Sequence, residues 1–143
     1  MPCKKIIIGL CGSGKTTKYM QLNEEVGRNA IEIELPPSFR NSGEEFKEKL
    51  FELYISDDRI DTIISHPFYL CQKFIEISRE KDQKIEIEFL NIPLSERKKR
   101  LRNRAYNSGI KENIIFSDKF FKDEELYFEE FKKMISEKIE QNN

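Results

Sequence analysis

The sequence lacks several features that define broad classes of protein. Its three cysteines, Cys3, Cys11 and Cys71, do not have the spacing of zinc ligands, and no signal peptide is recognisable. An odd cysteine count without a secretion signal favours the reducing cytoplasm over a disulfide framework. No apolar run approaches the roughly 18 residues that cross a membrane, and no repeat or low-complexity tract occurs. We therefore expect a cytoplasmic protein that does not associate with membranes.

The sequence also lacks a large excess of positive or of negative charge. The 143 residues include 25 Lys and Arg and 26 Asp and Glu, so the formal net charge is -1 although 36% of the chain is charged. No overall field attracts nucleic acid, and any attraction of an anion must be local. The length is that of one domain, and we expect a single domain over residues 1–143.

What is present is a glycine-rich segment, Gly9-Leu10-Cys11-Gly12-Ser13-Gly14-Lys15-Thr16, which we call the phosphate loop. It fits the pattern of Gly, four residues, Gly, Lys and Ser or Thr. Glycines let the backbone turn so that successive N–H groups converge on phosphates, and a helix predicted from Thr17 to Val26 adds its positive end. We expect Lys15 to reach the β and γ phosphates and the Thr16 hydroxyl to ligate Mg²⁺. The predicted nucleotide-binding residues are Gly9, Cys11, Gly12, Ser13, Gly14, Lys15, Thr16 and Thr17.

Strands alternating with helices predict an α/β fold with parallel strands. The predicted strands are Lys4–Ile8, Ala30–Leu35, Thr62–Ser65 and Lys84–Leu90, and residues 113–116 leave a fifth strand open. Central strands of such a sheet are buried on both faces and read as continuous apolar runs. The first and third strands are continuous and the other two alternate, which predicts the order 2-3-1-4. The phosphate loop then lies mid-sheet at the carboxyl edge, where ligands bind.

The predicted helices after the first cover residues 44–55, 70–77, 95–104 and 123–139. For the helix at 44–55 the expected apolar face is Phe46, Leu50, Leu53 and Tyr54. For the last helix the expected inward residues are Tyr127, Phe128, Phe131, Met134 and Ile135. Residues 105–113 are expected to form a polar loop.

The helix at 95–104 is strongly basic, with six cations and one anion. Arg97, Arg100 and Arg104 are spaced three, four and seven residues apart and share one face. Their guanidinium groups could clamp a phosphoryl group during its transfer. A solvated charged face is the alternative interpretation.

Over residues 4 to 105 the chain resembles the small P-loop kinases, a group that includes nucleotide kinases, polynucleotide 5′-kinases and similar phage enzymes. The resemblance lies in Gly9–Thr16, in the strand end Ile63-Ile64-Ser65-His66 and in the segment from Pro93 to Arg104. It implies a three-layer P-loop NTPase fold with a lid segment at about 94–112 that brings arginines to the ATP phosphates.

The resemblance also implies an acidic residue near the end of the second strand, as acceptor-binding group or base. Glu34 is the nearest match and Glu32 is an alternative that faces the same way; both could instead lie on the solvent side of an edge strand. Arg40 could hold a phosphate of the acceptor or be an exposed loop residue.

One departure concerns the third strand, which in this family ends in an acidic residue that orients metal-bound water. Here Ser65 and His66 stand at that place. Ser65 could bind a water ligand of Mg²⁺, and His66 could contact the acceptor or else cap or pack. Tyr106 and Asn107 are candidates for the neighbourhood of adenine.

The sequence therefore predicts a Mg-ATP-dependent kinase acting on a nucleoside, a nucleotide or a polynucleotide 5′ end. The catalytic residues would be Lys15, Arg97, Arg100, Arg104 and Glu34. An NTP-binding switch or ATPase adaptor is the alternative, and a module that binds nucleic acid through the same cations is a third. The residues leave open the acceptor, the choice of ATP or GTP and the oligomeric state.

Overall fold

The structure, a computed structural model, describes residues 3–33, 43–107 and 117–140. Its contacts divide the chain into two compact units. The first unit comprises Met1–Gly9 and Gly14–Leu90, and the second comprises Leu10–Ser13 and Asn91–Asn143. The middle of the phosphate loop thus belongs by its contacts to the second unit, and its two ends belong to the first.

The first unit contains a four-stranded parallel sheet with the order β2-β3-β1-β4. This confirms the predicted α/β fold, with the alternating strands at the two edges. Gly9 continues the pattern beyond β1, because its N–H donates to the Ser65 carbonyl at 3.1 Å. The elements are β1 (Lys4–Ile8), α1 (Lys15–Gln21) with a π-helical turn (Leu22–Val26), β2 (Ala30–Ile33), α2 (Glu44–Ser56), β3 (Thr62–Ser65), α3 (Phe74–Glu80) and β4 (Ile85–Phe89).

The central strands are covered on both faces. Ile6, Ile7 and Ile8 of β1 are fully buried, as are Ile63 and Ile64 of β3. Since neighbouring side chains on a strand point to opposite faces, helices or loops must cover both sides, which gives the predicted layers. On one face Leu22, from the π-helical turn after α1, packs against Ile7 and Ile64.

Helix α2 differs from its prediction in the face that it buries. Phe51 and Ile55 are buried, whereas Phe46 is 42% and Leu53 is 65% exposed. The Phe51 ring meets Phe74 of α3 edge-on, with ring centroids 5.9 Å apart. The predicted face was wrong because apolar residues surround much of this helix, and its contact with α3, rather than the periodicity, selects the inward side.

The second unit contains α4 (Leu94–Asn107) and α5 (Asp118–Glu140) together with residues 10–13. The predicted loop was wrong at its start, since residues 105–107 continue α4, with Ala105 buried. Residues 108–112, the end of the predicted lid, and 113–116 lie outside the described residues. On α5 the predicted Phe128, Phe131 and Ile135 are buried. None of the helices in the described ranges is long and apolar enough to cross a membrane.

Candidate phosphate-binding site

The phosphate loop has two glycines in the left-handed region, Gly12 at φ 75° and Gly14 at φ 93°. The Ser13 N–H closes a tight turn by donating to the Leu10 carbonyl at 3.1 Å. A Cβ atom on Gly12 would lie only 3.0 Å from Cγ of Leu101, on α4. Gly12 is thus required both for its backbone conformation and for the close approach of α4.

Ser13 carries a buried polar atom that needs a partner. The residue is 3% exposed, and within the described residues its hydroxyl oxygen makes no hydrogen bond. Because buried polar groups in proteins are nearly always satisfied, an unsatisfied hydroxyl inside this loop fits a ligand with hydrogen-bonding oxygens.

Lys15 and Thr16 begin α1, with Gly14 at the N-cap position. The Thr16 hydroxyl donates to both oxygens of the Glu32 carboxylate, at 3.1 Å and 3.2 Å. Thr17 follows on the exposed side of the same turn. The structure thus brings the predicted metal ligand Thr16 together with Glu32, the alternative to Glu34 in the sequence interpretation.

Strand register explains why Glu32 reaches Thr16. Glu32 pairs with Ile64, and Ile64 pairs with Ile7, so these three side chains form one row across the sheet. Ile7 and Ile64 pack against Leu22, so this row faces α1 and the π-helical turn that follows it. The side of β2 that faces α1 therefore places the Glu32 carboxylate beside the first turn of that helix.

The pair offers the ligand chemistry of a magnesium site. Mg²⁺ binds carboxylate and hydroxyl oxygens and keeps several water molecules, which needs an accessible position. Thr16 is exposed, Glu32 is half-buried, and the hydrogen bond between them lies in an exposed position. The residues present therefore fit Mg²⁺, although β3 carries no acidic residue at its end.

Ser65 and His66 lie deeper than expected from the sequence. The fully buried Ser65 hydroxyl donates to the His66 carbonyl at 2.8 Å. Nδ1 of His66 accepts the Phe68 N–H at 3.0 Å, and the imidazole stacks on the Phe68 ring. His66 is 4% exposed, and these contacts are the ones expected of a residue that caps and packs.

Arg97 differs from the exposed clamp that the sequence predicted. Its side chain is 2% exposed and forms ion pairs with Glu124 and Glu125 of α5. Nε of Arg97 donates to the Cys11 carbonyl at 3.0 Å, and the guanidinium lies over the Phe121 ring, 5.6 Å from its centroid. Arg97 thus contacts the backbone of the phosphate loop from a buried position, and its charge is already paired with the two carboxylates of α5.

Arg100 combines a contact to the loop with an accessible side chain. Nη1 of Arg100 donates to the Gly12 carbonyl at 3.4 Å and Nε donates to Glu96 at 3.2 Å, while the side chain is 43% exposed. Arg104 is exposed on the same helix. Lys98 and Arg102 instead bind Asp118 of α5, and the hydrogen bond and charge of Lys98, followed by those of Arg102, lower the pKa of that carboxyl.

Four further residues of the predicted site remain to be placed. Two of them, Glu34 and Arg40, lie outside the described residues. Tyr106 and Asn107 are in the last turn of α4 and not in a loop.

The sequence interpretation missed Glu124, although the sequence contains a signal for it. Glu124 occupies a buried position of α5 between Phe121 and Phe128. A carboxylate in an apolar row predicts a buried cation as its partner.

Comparisons with known proteins find little. No protein-family model and no curated protein matches the chain. Among solved structures, a gluconokinase from Sinorhizobium meliloti 1021 aligns with a TM-score of 0.47 and 17% identity over 73% of this chain. The alignment spans 66% of that gluconokinase, just under two thirds of its length. A protein named APE1195 aligns with a TM-score of 0.47 and 16% identity, over 83% of this chain and 74% of its own. Both likenesses are weak, so function is inferred from the site residues.

Proposed function

We propose that the chain is a Mg-ATP-dependent kinase that transfers the γ-phosphoryl group to a nucleoside, a nucleotide or a polynucleotide 5′ end. The observation that carries the proposal is the hydrogen bond between Thr16 and Glu32, directly after a loop with left-handed Gly12 and Gly14. A triphosphate needs backbone donors and a lysine, and its metal needs hard oxygens. This short stretch of chain and one residue of β2 supply all of them.

Thr16 and Glu32 would hold the metal, Glu32 either directly or through water. When bound, Mg²⁺ withdraws charge from the phosphate oxygens of the bond that breaks. The carboxylate of Glu32 would then do what an acid at the end of β3 does in related kinases. Ser65 would have a secondary role, binding a water molecule that is itself a ligand of the metal.

Lys15 and Arg100 would stabilise the charge that develops on the transferred group. Positioned cations lower the barrier of phosphoryl transfer because the transition state spreads negative charge over the phosphoryl oxygens. Arg100 is the stronger arginine candidate because it already contacts the Gly12 carbonyl and stays accessible. Arg104, exposed on the same helix, would assist.

In the proposed reaction an oxygen of the acceptor attacks the γ-phosphorus in line, the bond to the β–γ bridging oxygen breaks, and ADP leaves. Where the acceptor is a hydroxyl, its proton passes to a carboxylate, for which we propose Glu34. Where the acceptor is a phosphate, no base is needed. Arg40 and His66 are the further proposed acceptor-binding residues.

The test is incubation with γ-labelled ATP and a panel of nucleosides, monophosphates and 5′-hydroxyl oligonucleotides. Label should appear on one class of acceptor and require Mg²⁺. Lys15→Met should remove transfer, whereas Lys18→Met, one turn further along α1, should keep it. Transfer by Lys15→Met at the wild-type rate would contradict the proposal.

An NTP-binding switch or ATPase adaptor is the second candidate, favoured by the absence of an acid at the end of β3. It predicts label only as free phosphate, whichever acceptor is added. A nucleic-acid-binding module predicts instead an affinity that ignores ATP and falls steeply with salt. Filter binding with and without ATP separates this third interpretation from the other two.

A further inference from the structure

We propose that Arg97 is a positioning residue that joins the phosphate loop to α5 and holds the peptide between Cys11 and Gly12 in its phosphate-binding orientation. The inference rests on the proposed function only in taking the ligand of the loop to be a nucleotide. It assigns to α5, which carries none of the predicted ligand-binding residues, a part in nucleotide affinity.

The first argument is the burial of the guanidinium. A charged group that is 2% exposed must be paired, and Arg97 is paired with Glu124, equally buried, and with Glu125. A third donor, Nε, points at the Cys11 carbonyl at 3.0 Å. The planar fork of arginine thus bridges two carboxylates on α5 and one backbone oxygen of the loop, a geometry that lysine does not reproduce.

The second argument is the geometry of the peptide bond. Described peptide bonds are all trans, and in a trans peptide the C=O and N–H groups point in opposite directions. Holding the Cys11 carbonyl toward Arg97 therefore turns the Gly12 N–H away from α4. Leu101 limits the alternatives, because its Cγ lies 3.0 Å from where a Gly12 Cβ would be. A loop donor is thus aimed before any ligand arrives, which saves the cost of ordering it on binding.

The third argument is thermodynamic reciprocity. If docking of α5 through Glu124 favours the binding conformation of the loop, nucleotide binding must stabilise the docking of α5 by the same factor. Hydrogen exchange in the buried part of α5, near Phe128 and Phe131, should therefore slow when MgADP is added. An arginine that only stabilises the fold predicts slowing no larger than that of the buried amides of β1, which reports the general stabilisation by a ligand.

The experiment compares two variants that remove matched arginines of α4. In Arg97→Met with Glu124→Leu the two buried charges are replaced together, and Glu125, which loses its pair with Arg97, is 36% exposed and stays in contact with water, so the fold should persist. In Arg102→Met the lost contacts are the exposed pair with Asp118 and a cation–π contact with the same Phe121 ring. The readouts are thermal unfolding, the ¹⁵N order parameter of the Gly12 N–H without ligand, and MgADP affinity.

We expect the double variant to unfold near the wild-type temperature, to have a lower order parameter at the Gly12 N–H and to bind MgADP about tenfold more weakly. Arg102→Met should match the wild type in both. An unchanged Gly12 order parameter in the double variant, or an unchanged affinity, would overturn the proposal. If the double variant does not fold, Arg97→Lys replaces it, with the same expected direction and the same contradicting result.

Failure of the proposed function gives a different result. A wild-type protein that does not bind MgADP would refute nucleotide binding, while the Gly12 order parameter without ligand would still decide whether Arg97 positions the loop. An unchanged order parameter there would overturn the positioning role by itself.

Discussion

The Thr16 hydroxyl donates a hydrogen bond to the Glu32 carboxylate at 3.1 Å. The contact joins the first turn of α1 to the edge strand β2, because Glu32 shares a row of the sheet with Ile64 and Ile7. The acidic group that the end of β3 lacks is therefore available from β2. Under the proposed function, this relationship places two metal-binding side chains beside the phosphate loop.

Glu32→Gln should weaken metal binding because an amide keeps the shape but loses the charge. We expect the affinity for Mn²⁺, used as a spectroscopic substitute for Mg²⁺ in the presence of ATP, to fall roughly 10- to 100-fold. Electron paramagnetic resonance of free Mn²⁺ measures it. The control is Glu86→Gln, which alters an exposed carboxylate on β4. Equal Mn²⁺ affinity in Glu32→Gln and the wild type would refute the metal role of Glu32.

Gly12→Ala and Gly27→Ala together separate the cost of a left-handed backbone from the cost of a steric clash, because both glycines have φ 75°. The measured quantity is the loss in free energy of unfolding. At Gly27 nothing lies within 4 Å of an added Cβ, so only the left-handed backbone is penalised, by about 1–2 kcal/mol. At Gly12 the clash with Leu101 adds to this penalty, and the loop must also shift. Urea unfolding should show the larger loss for Gly12→Ala, which alone should lose ATP affinity. A smaller loss at Gly12 would contradict this packing.

Arg100→Ala should slow phosphoryl transfer by about a thousandfold while ATP affinity changes little, because the arginine acts mainly on transition-state charge. Lys99→Ala removes the adjacent exposed cation of α4 and serves as the control. Single-turnover rates with saturating ATP give the comparison. An unchanged rate in Arg100→Ala would show that α4 does not supply the transferring cation.

The three cysteines should react in the order of their exposure. Burial raises the pKa of the Cys71 thiol to about 12, so iodoacetamide at pH 8 should label exposed Cys3 first and leave Cys71 unlabelled. MgADP should protect Cys11, which lies in the phosphate loop, and should not affect Cys3. Peptide mass spectrometry reads each site, and labelling of Cys71 in the folded protein as fast as Cys3 would contradict its burial.

Cys71 also predicts a pH dependence of stability. Its pKa is higher in the folded than in the unfolded chain, so its contribution is complete below the unfolded value near 9 and is lost as pH rises toward 12. The free energy of unfolding of the wild type should therefore fall more between pH 8 and pH 11 than that of Cys71→Ala, which lacks this group. Urea unfolding of both proteins at the two pH values tests the sign.

The sheet was predictable because its signal is local. Strands β1 and β3 are continuous apolar runs and the edge strands alternate, which places them in order without knowledge of any contact. The face of α2 was not predictable in the same way, because Phe51 and Ile55 face inward through packing with another helix. Periodicity alone cannot choose between overlapping apolar faces.

The site was predictable where one segment contains it and less so where distant segments meet. Lys15 and Thr16 follow from a contiguous motif, whereas Glu32 meets Thr16 through strand register and Arg97 is buried against Glu124. Both depend on residues far apart in sequence. The sequence of a basic helix shows where its cations are. The structure is needed to show which of those cations are already paired with carboxylates of other elements.

The most direct test is a titration of the ¹⁵N-labelled protein with a non-hydrolysable ATP analogue and Mg²⁺, followed by two-dimensional NMR. The proposed site predicts that the largest changes in amide chemical shift fall on Gly12 to Thr16 and on Glu32. The changes at Thr16 and Glu32 should become smaller when Mg²⁺ is omitted. Shifts confined to other parts of the chain, or none at millimolar analogue, would contradict it.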